Sequence, residues 1–149
     1  MPVTMRKVLA YITHGQRLLV FNHPHSPEAG IQVPGGTLDG NESPAEAAIR
    51  ESLEETGLKD FRLGALLGEH VRNMSDFGLN QIHHRYFYHL LYDGDPPQRW
   101  RHFENHASDG IKDPIAFDFY WARLPDEVPE LTCDHGKLLP ELFRALQEE

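Results

Sequence analysis

Ser43-Pro44-Ala45-Glu46 opens a helix, Gly57 closes it, and three glutamates crowd its last turns. Ser43 suits the N-cap, Pro44 takes the first helical position where no N–H is needed, and Glu46 can reach back to complete a capping box. Gly57 supplies the left-handed residue that ends the helix, which is therefore predicted over residues 44–56. At about 100° per residue, Ala45, Ala48, Ile49, Ser52, Leu53 and Thr56 form one broad stripe expected to face a core. Glu51, Glu54 and Glu55 fall within an arc of about 100° on the opposite side, at i, i+3, i+4 spacing.

Three neighbouring carboxylates are locally unfavourable. Each like-charge pair costs roughly 0.2–0.5 kcal/mol in an isolated helix. Glu54 and Glu55 also occupy the last turn, where the helix dipole prefers cations, at a further cost of roughly 0.3–1 kcal/mol each. A solvated charged face tolerates this, and so does a bound hard cation. Mg²⁺ and Mn²⁺ select oxygen donors, and Mg²⁺ uses a few carboxylates together with water and substrate phosphate. Arg50 lies beside the arc, four residues after Glu46 and four before Glu54, where its planar fork can orient a carboxylate or make an ordinary surface pair. Upstream, Val33-Pro34-Gly35-Gly36 ends a strand with glycines that let backbone approach a ligand closely. It lacks the Gly-Lys-Ser/Thr of a phosphate-binding P-loop.

Around this segment the apolar pattern reads mostly as strands. Residues 7–12 and 17–21 form a hairpin across Thr13-His14-Gly15-Gln16, residues 30–34 a third strand closed by Pro34, and residues 61–71 a fourth. Residues 81–92 alternate Ile82, His84, Tyr86, Tyr88, Leu90 and Tyr92 with more polar partners. Residues 93–113, rich in Pro, Gly, Asp, Asn and His, read as a long functional loop, followed by an aromatic strand at 115–123. Leu138, Leu139, Leu142, Phe143 and Leu146 recur at helical spacing in a closing helix. Strands separate the helices, so the expected class is α+β, a mixed sheet flanked by helices, in a single domain over residues 1–149.

The net charge of −9, from 23 acids and 14 bases, argues against a sequence-independent grip on nucleic acid, which needs clustered Lys and Arg. A small phosphorylated ligand remains open, because a metal ion can supply positive charge locally. No apolar stretch approaches a membrane span, no signal core precedes a small-residue site, and the lone Cys133 fits a reducing compartment. A soluble cytoplasmic protein is expected.

Gly36, five residues, Glu42, seven residues, Arg50-Glu51, two residues, Glu54-Glu55, one residue, Gly57-Leu58 resembles the Nudix box. The resemblance covers these 23 residues, and the strand–box–strand order extends it over nearly the whole chain. Ser52 departs from it, since the family usually packs an aliphatic residue there, as does Ile31, where many members carry tryptophan. The resemblance implies an α/β/α sandwich and hydrolysis of a diphosphate linkage in a nucleoside diphosphate derivative: a nucleotide sugar, dinucleoside polyphosphate or nucleoside triphosphate. It further implies Mg²⁺ or Mn²⁺ bound by Glu51, Glu54 and Glu55 with the Gly36 carbonyl, and Glu42 and Arg50 holding those ligands in place. The metals would neutralise diphosphate oxygens and lower the pKa of an attacking water. The general base is Glu54 or a distal carboxylate, Glu104 or Asp109. Homodimers are common in that family.

Two other classes compete. A Nudix-like domain can sense a nucleotide without turnover, although such a domain is expected to lose the acids kept here. A related fold isomerises isopentenyl diphosphate with a proton-transfer pair that often includes cysteine, and Cys133 lies far downstream. A histidine metal site from His83-His84, His89 or His102/His106 is disfavoured, because neighbouring strand residues point to opposite faces and 102–106 reads as loop. Tyr86, Tyr88, Phe77, Trp100 and Trp121 are candidates for stacking on a base or for the core.

Overall fold

The computed structural model describes residues 1–104 and 114–148. Its strands are β1 (Val3–His14), β2 (Arg17–Asn22), β3 (Gly35–Thr37), β4 (Phe61–Asn73), β5 (Gln81–Tyr92), β6 (Arg99–Glu104) and β7 (Ile115–Arg123). The helices α1 (Pro44–Thr56) and α2 (Leu139–Gln147) accompany them. Six strands run β4-β5-β1-β2-β7-β6, with β3 pairing on β1 beside that path. The β1–β5 pairing is parallel, and the other strand pairings are antiparallel.

Both faces of β1 are covered, so its buried run from Val8 to Thr13 shows little of the alternation of a half-exposed strand. Leu9 and Tyr11 point to one face, where Leu18, Val20 and Phe87 meet Leu142, Phe143 and Leu146 of α2. Val8, Ala10 and Ile12 point to the other, against Ala47, Ala48 and Ile49 of α1 and the aromatic side chains of β7. A fully buried aliphatic side chain such as Leu142 contributes about 1.5–3 kcal/mol. The result is an α+β sandwich, a mixed sheet between two helices. No helix among the described residues is long and apolar enough to cross a membrane.

The far edge of β1 is shared. Thr13 and His14 pair with Leu18 and Arg17 of β2, whereas Lys7, Val8 and Leu9 pair with Thr37, Gly36 and Gly35 of β3. This exchange of partners brings the glycine pair beside α1. The expected strand at residues 30–34 is corrected accordingly. Ile31 and Gln32 make isolated bridges to Leu131 and Phe21, and Pro34, which has no N–H, accepts from the Ala10 N–H through its carbonyl at 2.8 Å. The regular pairing falls on the glycines because a Cβ on residue 35 would stand 2.4 Å from the Val8 carbonyl oxygen.

Two further expectations change. Residues 93–113 contain β6, so His102 is a strand residue; Asp109 and His106 lie outside the described residues. β6 is a sheet edge whose outward positions carry Arg99, Arg101 and Phe103, so its composition imitates a loop. Arg101 forms a two-pronged bond to Asp118 at 2.7 and 3.1 Å, and Arg99 lies over the Tyr120 ring. On α1 the buried stripe is rotated from the expected one. Ala47, Ala48, Glu51, Ser52, Glu55 and Thr56 are buried, whereas Leu53 is 38% exposed. The helix packs on β3 as well as on the core, so one flank of its carboxylate arc is covered by backbone instead of water.

Candidate functional site

The start of α1 forms as its sequence requires. The Ser43 hydroxyl accepts from the Glu46 N–H at 3.2 Å, Glu46 accepts from the Ser43 N–H at 3.1 Å, and Gly57 ends the helix at φ 75°. This fixes the rotation of the helix and thereby the direction of its acids.

Arg50 organises them. Its guanidinium grips Glu42 with two bonds of 2.7 and 2.9 Å, donates to Glu51 at 2.9 Å and Glu54 at 3.3 Å, and reaches the Thr37 carbonyl at 3.1 Å. The Asp39 N–H donates to the second Glu42 oxygen, fixing that carboxylate in turn. Paired in this way, Glu42 has its pKa held below the usual carboxylate range by Arg50, and the Arg50 pKa rises. These planar, bidentate contacts are ones a lysine cannot reproduce.

β6 brings the fourth acid. Trp100, His102 and Glu104 share one side of the strand. The Trp100 indole N–H donates to the Thr56 carbonyl at 2.8 Å, and His102 Nε2 bonds the Glu54 carbonyl at 3.0 Å. These two bonds use carbonyls that the helix end leaves without intrahelical partners. They carry Glu104 to the acids: Glu51, Glu54 and Glu104 each offer an oxygen, all within 4.8 Å of one another. Glu55 turns toward β3 and accepts the Gly35 N–H at 2.7 Å. Gly36 touches the Glu51 carboxylate so closely that a Cβ there would overlap it.

Glu51, Glu55 and Glu104 are buried. Burial pushes the Glu51 pKa up, against the pull of Arg50. Burial also pushes Glu55 well above its usual range, reinforced by repulsion from Glu104 and Glu51 and opposed by the Gly35 N–H. Among the described residues, Arg50 bonds Glu51 and Glu54, and Lys7 acts on Glu51 and Glu55 only through its charge, so the cluster has room for a further cation. Its donors are hard oxygens from two elements, an arrangement that fits Mg²⁺ or Mn²⁺.

A cavity of about 360 Å³ adjoins the acids across Gly35, Gly36 and Glu55. Its wall combines apolar Val33 and Met74 with His83 and His135, whose pKa values fall to about 4 and about 3, chiefly through burial. Phe77 lines it too, unlike the other stacking candidates. Trp100 stacks on Phe119, Trp121 donates to the Pro97 carbonyl, and Tyr86 and Tyr88 pack beside Val8. Cys133, distant in sequence, also reaches the cavity, where its carbonyl and sulfur meet Arg85. Sequence reasoning did not single out Lys7 and Arg85. A charged residue inside the alternating strand β5 was the available signal for Arg85, which is 3% exposed.

Known proteins share this fold. The NUDIX domain model matches residues 3–138. The chain is 31% identical over 128 residues to bovine diphosphoinositol polyphosphate phosphohydrolase 3-beta and to human diphosphoinositol polyphosphate phosphohydrolase 3-alpha. Each alignment covers 84% of this chain and 68% of the relative. A NUDIX hydrolase from Nitrosomonas europaea superposes with a TM-score of 0.70 at 20% identity, over 95% of this chain and 89% of that one. A UDP-X diphosphatase superposes at 0.66 with 21% identity, over 99% of this chain and 65% of that protein, so this chain spans less than two thirds of its length. The chain belongs to the Nudix family. Within it, the protein is a pyrophosphohydrolase, of a family that generally uses divalent metals.

Proposed function

We propose that the protein hydrolyses the diphosphate linkage of a nucleoside diphosphate derivative, with Mg²⁺ or Mn²⁺ held by Glu51, Glu54 and Glu104. The convergence of these three carboxylates from α1 and β6 carries the reading. Gly36, in contact with Glu51, adds its carbonyl, and Glu55 acts by securing the Gly35 N–H and adding negative charge. A divalent cation there supplies positive charge to the diphosphate oxygens and acidifies water. Arg50 and Glu42 keep the acids in register. Glu54, whose side chain is 52% exposed where Glu51 is 8%, is the acid best able to meet an attacking water and accept its proton. The remainder of the substrate occupies the adjoining cavity, whose size suits a nucleoside-sized group.

The names of the 31%-identical relatives support a second reading, a diphosphoinositol polyphosphate as substrate. Against it stands the charge of the cavity. Its described lining carries two cations, Lys7 and Arg85, and Arg85 already binds the Cys133 carbonyl. A densely phosphorylated ring calls for more. The test is hydrolysis of nucleotide sugars, dinucleoside polyphosphates, nucleoside triphosphates and a diphosphoinositol polyphosphate, with Mg²⁺ and with EDTA. Cleavage of a nucleoside diphosphate derivative that EDTA abolishes is expected. Cleavage confined to the inositol compound would transfer the assignment to the second reading, and turnover of none would leave a binding domain without catalysis.

A further inference from the structure

Lys7 lies in the middle of β1, between Thr37 of β3 and Arg85 of β5. Strand alternation points it to the same side as Leu9, the cavity side, while Val8 packs under α1. It lines the cavity together with Gly35, Gly36 and Glu55, the residues that separate the cavity from the acids. The charges of Glu51 and Glu55 favour its ammonium, but burial and Arg85 disfavour it, and the net effect lowers its pKa. Among the described residues, Lys7 has neither an ion pair nor a side-chain hydrogen bond. A half-buried cation without a paired anion is costly in any protein. In a chain of net charge −9, with two carboxylates nearby, the lack of a close partner requires a cause. The missing partner fits an anion that arrives with the ligand.

We propose that Lys7 is a substrate-binding residue whose ammonium takes an oxygen of the phosphate on the cavity side of Gly35 and Gly36, while the neighbouring phosphate faces Glu51, Glu54 and Glu104. This rests on the diphosphate reading of the site. A diphosphate thereby bridges the acids and the cavity rim, and Lys7 fixes which phosphate faces which. Lysine suits the task as a compact, rotatable point charge for a phosphate oxygen. The competing role is a counter-charge that stabilises Glu51 and Glu55 in the absence of substrate.

Calorimetry with methylenediphosphonate and Mg²⁺ separates the two roles, using the full chain and its Lys7→Met and Lys7→Arg variants. The expected result is a roughly ten- to hundredfold weaker binding by Lys7→Met and near-complete recovery in Lys7→Arg. Mn²⁺ alone should bind Lys7→Met at least as tightly as wild type, because a cation beside the acids has been removed. Equal diphosphonate affinity in wild type and Lys7→Met would overturn the proposal. So would a lower melting temperature of Lys7→Met in EDTA with unchanged diphosphonate affinity, which would make Lys7 a counter-charge. Lysine-directed reductive methylation of the wild-type protein, read by mass spectrometry, avoids any folding defect of a variant. Methylenediphosphonate with Mg²⁺ should protect Lys7, and unchanged labelling would count against its contact. Diphosphonate binding with no hydrolysis of any compound in the substrate panel would instead defeat the catalytic reading and leave the Lys7 contact standing.

Discussion

Glu104→Gln should stabilise the metal-free protein, although it removes a group from the proposed centre. Glutamine preserves the shape and most of the hydrogen-bonding capacity of the side chain, so the principal loss is charge. Glu51 and Glu104 are 6% and 7% exposed, and their oxygens lie within 4.8 Å. At an effective dielectric of about 20, two unit charges at that distance repel by about 3.5 kcal/mol. Arg50, bonded to Glu51, offsets part of this, and the interactions that Glu104 itself makes offset more. A net gain of roughly 1–3 kcal/mol remains. For a chain of this size that corresponds to roughly 2–10 °C in melting temperature. The assay is thermal unfolding in EDTA and again in saturating Mg²⁺. A cation at about 100 times its dissociation constant adds about 2.7 kcal/mol to the wild type and should add less to the variant. Hence the variant is expected to melt higher in EDTA and to gain less from Mg²⁺. A variant that melts below wild type in EDTA would refute the idea that these acids await a cation.

Glu54→Gln should lower turnover by orders of magnitude with the fold intact; near-wild-type rates would assign the base to Glu104 or to the 105–113 segment. Gly57→Ala places a Cβ at φ 75° and 2.9 Å from His102 Nδ1. A cost of about 1–2 kcal/mol should appear in urea unfolding, and an unchanged midpoint would contradict the tight helix-end contact. Stability against pH follows from the acids. Glu51 and Glu55 titrate above their ordinary value near 4.5 in the folded state. Their contribution is therefore fully present below about pH 4.5 and is lost as pH rises through the folded values. His83 and His135 pull the other way, losing stability below 6.5 because their folded values are depressed. The difference between wild type and a Glu51→Gln/Glu55→Gln double variant in EDTA isolates the acids. That difference should move against wild type from pH 4.5 toward neutrality, and a flat difference would contradict their burial.

Local chemistry made much of this fold legible. The capping box and Gly57 delimited α1, β5 occupies the stretch its alternation marked, and β7 the one its aromatic residues marked. β6 was hidden because an edge strand presents charges on one side, and its inward residues His102 and Glu104 serve a helix end and the acids while Trp100 alone joins the apolar core. The rotation of α1 was hidden for a related reason. Periodicity distinguishes apolar from charged faces, but Glu51 and Glu55 are buried against the backbone of β3, which carries no sequence signal of its own. Glu104 was singled out by its place in a stretch of polar residues, while the reason it reaches the acids, two bonds from Trp100 and His102, is tertiary. Lys7 and Arg85 depend on tertiary contact in the same way, since burial brings them to the cavity.

The central claim is that a divalent cation sits among Glu51, Glu54 and Glu104. Anomalous diffraction from crystals grown with Mn²⁺ and methylenediphosphonate tests it directly. The expected result is an anomalous peak bounded by carboxylate oxygens of all three residues, with the diphosphonate on its open side. A peak elsewhere, or one that Glu104 does not touch, would contradict it.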